Sequence, residues 1–63
     1  MMRSYFVYLA ANDQKQKLNV CVESPDTLED ILRLTQERLW ELGIHHLTVN
    51  ECGAIQIILD RGE

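Results

Sequence analysis

A chain of 63 residues with a net charge of −4 holds one domain and no second, and at this size only about 60% of the unfolded surface is buried, so the core is marginal. Its 46% apolar and 25% charged residues belong to a folded globule rather than a disordered tail. No apolar run reaches the roughly 18 residues of a membrane span, and apart from Lys15 and Lys17 the basic residues (Arg3, Arg33, Arg38, Arg61) are scattered, which argues against direct nucleic-acid or anionic-membrane binding.

The first predicted strand runs from about Arg3 to Ala11 and contains "SYFVYLAA". Side chains alternate along a strand, so Tyr5, Val7 and Leu9 share one face and Phe6, Tyr8 and Ala10 the other. Both faces are apolar, which marks a central strand covered twice. The same stretch, in "MMRSYFVYLAAND", makes a poor signal peptide because it is short, aromatic and strand-like. The polar cluster Asn12 to Gln16 reads as a hairpin loop. "KLNVCVE" then alternates strictly, with Leu18, Val20 and Val22 on one face and Asn19, Cys21 and Glu23 on the other.

"SPDTLED" opens a helix expected from Pro25 to Leu42. Proline suits a first helical turn, Ser24 or Asp26 can cap free N–H groups, and Asp26 with Glu29 has capping-box spacing. Leu28, Ile31, Leu32, Thr35, Leu39 and Leu42 recur at three- and four-residue spacing and form one apolar stripe. Glu29, Asp30, Arg33, Glu37 and Glu41 occupy the opposite, solvated face, whose sharper reading is a docking or nucleic-acid-mimicking surface. Gly43 ends the helix in the left-handed region and Ile44 supplies the hydrophobic contact of such a cap.

"HHLTVNE" resumes alternation and predicts a third strand with Leu47 and Val49 inward. Gly53 fits a hairpin turn, and "AIQIILD" predicts a fourth strand with Ile55, Ile57 and Leu59 on one face. The expected fold is α+β, of order ββαββ. Its four-stranded sheet has strand order 2-1-4-3, strands 1 and 4 parallel at the centre, and one helix on one face. That geometry is β-grasp-like, and the name carries no function with it.

One helix covers one face, so the other is expected to display Phe6, Tyr8, Ala10, Cys21 and Ile58, rimmed by Asn19, Thr48, Asn50 and Gln56. An apolar centre with a polar rim is the anatomy of a protein interface. Two readings compete with it: a reversed register that buries Phe6 and Tyr8 and exposes Tyr5 and Val7, and an ordinary exposed patch. Trp40 on the helix flank either seals the core margin or anchors a partner. The two cysteines read as reduced thiols acting as small hydrophobes, with a single disulfide as the alternative.

Catalytic and metal chemistry find little footing. His45 or His46 with Glu51 and Cys52 offers zinc-ligand types, yet adjacent histidines on a strand face opposite ways and no paired ligand spacing stands beside them. A Cys52–histidine nucleophile lacks an orienting group. The three glycines are isolated, so no phosphate loop exists. The expectation is a small, acidic, non-catalytic protein-binding module of the cytoplasm, without cofactor or metal. Its interface comprises Phe6, Tyr8, Cys21, Ile58 and Trp40, and its partner is another protein or a second copy in a homodimer. Such a module suits a regulator or inhibitor of a larger host complex, of the kind encoded by phages and mobile elements. Two strands followed by a helix of "DTLEDILRL" type and further strands resemble, in architecture and generic helix residues and with no specific motif, small phage inhibitors of bacterial RNA polymerase. The alternatives are a metal- or thiol-dependent enzyme or redox accessory built on Cys21, Cys52, His45 and His46, and an antitoxin-like subunit functional only in complex.

Overall fold

A computed structural model describes residues 1–11 and 17–61 of the chain. Strand β1 spans Met2–Ala11, β2 spans Lys17–Pro25, helix α1 spans Leu28–Glu41, a 3-10 turn covers Val49–Glu51, and β3 spans Cys52–Leu59. The predicted loop at 12–16 lies outside the described residues. The strands form one sheet of order β2-β1-β3, and both pairings are antiparallel.

The doubly apolar strand is thus the central one, as its two-faced pattern requires. Tyr5, Val7 and Leu9 of β1 are buried with Val20 and Val22 of β2, and Ile31 and Leu39 of α1 close over them. Val7 and Leu39 are fully buried. The register is therefore the first one considered, with Phe6 and Tyr8 away from the helix. Reversal is excluded.

Among the described residues the expected four-stranded sheet is not formed; the sheet has three strands. "HHLTVNE" runs as irregular chain into the 3-10 turn. Leu47 and Val49 are buried as foreseen, but two alternating apolar residues can be turned inward by an extended loop as well as by a strand. The Val49 N–H finds its acceptor in the Gln36 side chain, Oε1 at 2.8 Å, rather than in a neighbouring strand. Losing one strand also reverses the direction of the last, so β3 runs antiparallel to β1 and the parallel centre of the expected arrangement disappears.

The helix differs at its ends. Pro25 closes β2 instead of opening the helix, and Thr27 is the N-cap residue. The Thr27 hydroxyl bonds the Asp30 carboxylate, while Asp26, assigned to the cap by spacing, accepts a hydrogen bond from the Tyr5 hydroxyl at 2.7 Å. At the far end Gly43 has φ +80°. Its N–H reaches the Trp40 carbonyl and that of Ile44 reaches the Leu39 carbonyl, the paired bonds of a Schellman cap. Only the middle of the predicted stripe is buried: Ile31, Thr35 and Leu39 are inside, while Leu28 and Leu42 at its ends are exposed.

Candidate functional site

Register decides which side chains meet on the open face of the sheet. Phe6 lies opposite Cys21 on one side and Ile58 on the other, so one apolar row, Cys21–Phe6–Ile58, crosses all three strands. The next row is Asn19–Tyr8–Gln56, and beyond it stands Lys17–Ala10–Ala54. On the other side Ser4 faces Glu23, and its carbonyl accepts the Asp60 N–H at 2.9 Å. An aromatic pair at the centre is thus bordered by amides and charges. Phe6 and Tyr8 are half-buried by their strand neighbours, whereas Cys21 and Ile58 are exposed, Ile58 at 42%.

Four of the five residues expected at an interface therefore share this face: Phe6, Tyr8, Cys21 and Ile58. Trp40 does not. It stands on α1, 52% exposed, at a shallow groove that it lines with Leu32, Gln36 and Val49. Of the expected rim, Asn19 and Gln56 are in place. Thr48 and Asn50 are not, because their segment never joins the sheet.

The helix-side face holds a feature that the pattern did not announce. Ile55, Ile57 and Leu59 of β3 face the same way as the buried residues of β1, yet Ile55 is 38% exposed and the other two are only half-buried. Helix α1 packs across β2, at the opposite edge of the sheet. One helix does not span three strands. The available signal was the composition of β3 itself, which carries no charge from Cys52 to Leu59.

The acidic helix surface is laced with ion pairs. Arg33 sits 3.4 Å from Asp30 and 3.0 Å from Glu37, and Arg38 lies 4.0 Å from Glu41. The Arg33 guanidinium is pushed up by its bonds to Asp30 and Glu37. Exposed pairs of this kind contribute little stability individually; here they dilute the negative field that a mimicking surface would need.

Cys21 and Cys52 are free thiols. Cys52 turns to the helix side, where a register shift between Ala10 and Ala11 gives it Ala11 as partner, and its Sγ lies 3.4 Å from the Thr48 carbonyl. Burial first, and then the Glu51 charge, push its thiol up from the ordinary range. That is opposite to what a nucleophilic cysteine requires. His45 and His46 are exposed. Among the described residues, no three His, Cys, Asp or Glu side chains come together as a metal-binding group, so the conceivable set of His45 or His46 with Glu51 and Cys52 is not assembled. Nor does any helix among them have the length and apolarity to cross a membrane.

Comparison with known proteins returned no matching family model, curated protein or solved structure.

Proposed function

We propose that the chain is a non-catalytic protein-binding module that regulates or inhibits a larger protein by docking the open face of its sheet against it. The observation that carries this reading is the Cys21–Phe6–Ile58 row, with Tyr8 beside it, on a sheet whose one helix lies on the other side. Aromatic side chains supply large contact area at low entropic cost and are enriched where binding energy concentrates. The bordering Asn19, Gln56, Lys17 and Glu23 supply a polar rim. A net charge of −4 favours a basic partner surface. The thiol-enzyme alternative is the weaker reading, because Cys52 is held against the Thr48 carbonyl with its proton retained.

The test is capture of proteins from lysate of the source cell on immobilised chain, using the parent, Phe6→Ser, Tyr8→Asp and Trp40→Ala, each first checked by circular dichroism. The expected result is a protein retained by the parent and by Trp40→Ala and lost with both face variants. Retention by folded Phe6→Ser and Tyr8→Asp would overturn the reading.

A further inference from the structure

We infer that β3 is a self-pairing edge: two copies of this chain join antiparallel along it and fuse their sheets into one. The inference concerns the rim of the sheet rather than its open face, and does not depend on the function proposed above.

Antiparallel ladders alternate between residue pairs that exchange hydrogen bonds and pairs that do not. The Asp60 N–H bonds the Ser4 carbonyl, and the register from Tyr5–Leu59 to Ala10–Ala54 continues in step from that pair. Ile58, Gln56 and Ala54 therefore turn their backbone groups toward β1. Ile55, Ile57 and Leu59 turn theirs outward, to an edge beyond which no strand lies among the described residues. These are the same residues whose side chains α1 leaves incompletely covered. Backbone groups with no strand partner among the described residues and incompletely covered apolar side chains thus coincide in three residues.

The opposite edge shows how a sheet avoids such exposure. Lys17 and Glu23 place charges along β2, and by the same alternation Pro25 faces outward, where its missing N–H offers a visitor nothing. Helix α1 also lies across β2. From Cys52 to Leu59, β3 has no charge and no proline. A long, neutral, apolar edge is a template for another strand.

Charge and symmetry select a second copy as that strand. Half of the ten acidic residues, Glu29, Asp30, Glu37 and Glu41 on α1 and Glu23 on β2, lie on those two elements, and none lies on β3 between the flanking Glu51 and Asp60, so two chains of charge −4 repel one another less along the length of β3 than across α1 or β2. Across a two-fold axis every bonded pair must take one outward-facing residue from each copy, and here those residues are all odd-numbered. An axis beside Gln56 satisfies this and sets Ile55 against the partner's Ile57. The two half-covered isoleucine rows then cover one another on the helix side. The same register sets Arg61 of each copy opposite Glu51 of the other, with Asp60, next to Arg61, opposite Cys52. An isologous contact of this kind closes on itself and stops at two.

Sedimentation equilibrium of the whole chain at micromolar to millimolar concentration tests the pairing. The parent is compared with Ile55→Lys, with Phe6→Ser, and with synthetic chain carrying a methyl group on the outward-facing Ile57 amide nitrogen. All are checked for parent-like circular dichroism. The parent and Phe6→Ser should sediment as dimers. Ile55→Lys and the N-methyl chain should show a dissociation constant raised about tenfold or more, through charge on the edge and loss of one donor respectively. A parent that stays monomeric overturns the inference, as does dimerisation that survives both edge changes or is abolished only by Phe6→Ser.

Discussion

Tyr5 shows how much one residue can tie together in a chain this small. Its ring is buried against the core, and its hydroxyl donates to Asp26 at 2.7 Å, so β1 is fastened to the corner where β2 gives way to α1. Periodicity grouped the ring with Val7 and Leu9 but left open which face is buried, and it could not place the hydroxyl, because a bond across 21 residues leaves no local trace. The bond to Asp26 raises the Tyr5 pKa above its ordinary 10.0, with burial and the Asp26 charge adding to it and Arg3 opposing. The folded state therefore holds this proton more tightly than the unfolded state. Its stabilisation is complete below about pH 10 and is lost as pH rises through the raised value. Asp30 has the opposite sign: the Thr27 hydroxyl, and then Arg33, lower its pKa below 3.8, so its contribution is present above that value and is lost as pH falls below it. Melting temperatures followed across pH should show Tyr5→Phe melting below the parent near neutrality, with a shallower decline above pH 10 and an unchanged acid limb. An alkaline limb parallel to the parent's would show that the hydroxyl bond adds no stability.

At the scale of elements, what the sequence made legible was what local chemistry decides. The helix C-terminus is the clearest case: glycine followed by isoleucine specified a left-handed residue and a hydrophobic cap contact, and both are found at Gly43 and Ile44. The helix start was less legible. Several residues in "SPDTLED" can cap, and the choice of Thr27 follows from β2 continuing to Pro25 and from Tyr5 claiming Asp26, both decided by tertiary contacts. The misread third strand has the same origin. Alternation of Leu47 and Val49 reports burial, but a strand also needs a neighbour to bond, and α1 supplied that bond from Gln36. Gln36→Met keeps the length of the side chain and removes the acceptor, leaving the Val49 N–H without its partner at a cost of about 1–3 kcal/mol. Hydrogen exchange should find the Val49 amide exchanging faster in this variant while the amides in the middle of α1 keep their protection, provided that opening is local. Unchanged protection at Val49 would mean that the turn is held by packing of Leu47 and Val49 alone.

Taken as a whole molecule, a chain of 63 residues at about 0.05–0.15 kcal/mol per residue commands only ~3–9 kcal/mol of stability. The core that supplies it is small and lopsided, gathered where α1 crosses β2 and thinning toward β3. Leu39 lies at its centre, fully buried, and Leu39→Ala removes contacts worth about 2–5 kcal/mol. That loss is comparable to the whole, so much of the variant should be unfolded when dilute. The same arithmetic makes the β3 edge matter beyond recognition. A partner that binds only the folded chain adds stability in proportion to the logarithm of its concentration, and the partner inferred here is the chain itself. The melting midpoint of Leu39→Ala should therefore climb as its concentration is raised, because pairing along β3 draws folded chains out of the equilibrium. Adding Ile55→Lys, whose side chain lies on an exposed part of β3 away from Leu39, should flatten that dependence while leaving the dilute midpoint close to that of Leu39→Ala. Calorimetry over a hundredfold range of concentration reads both quantities. A concentration-independent midpoint for Leu39→Ala would show that this core stands without help from its edge, and a parent-like midpoint would show that Leu39 is not the centre of the core.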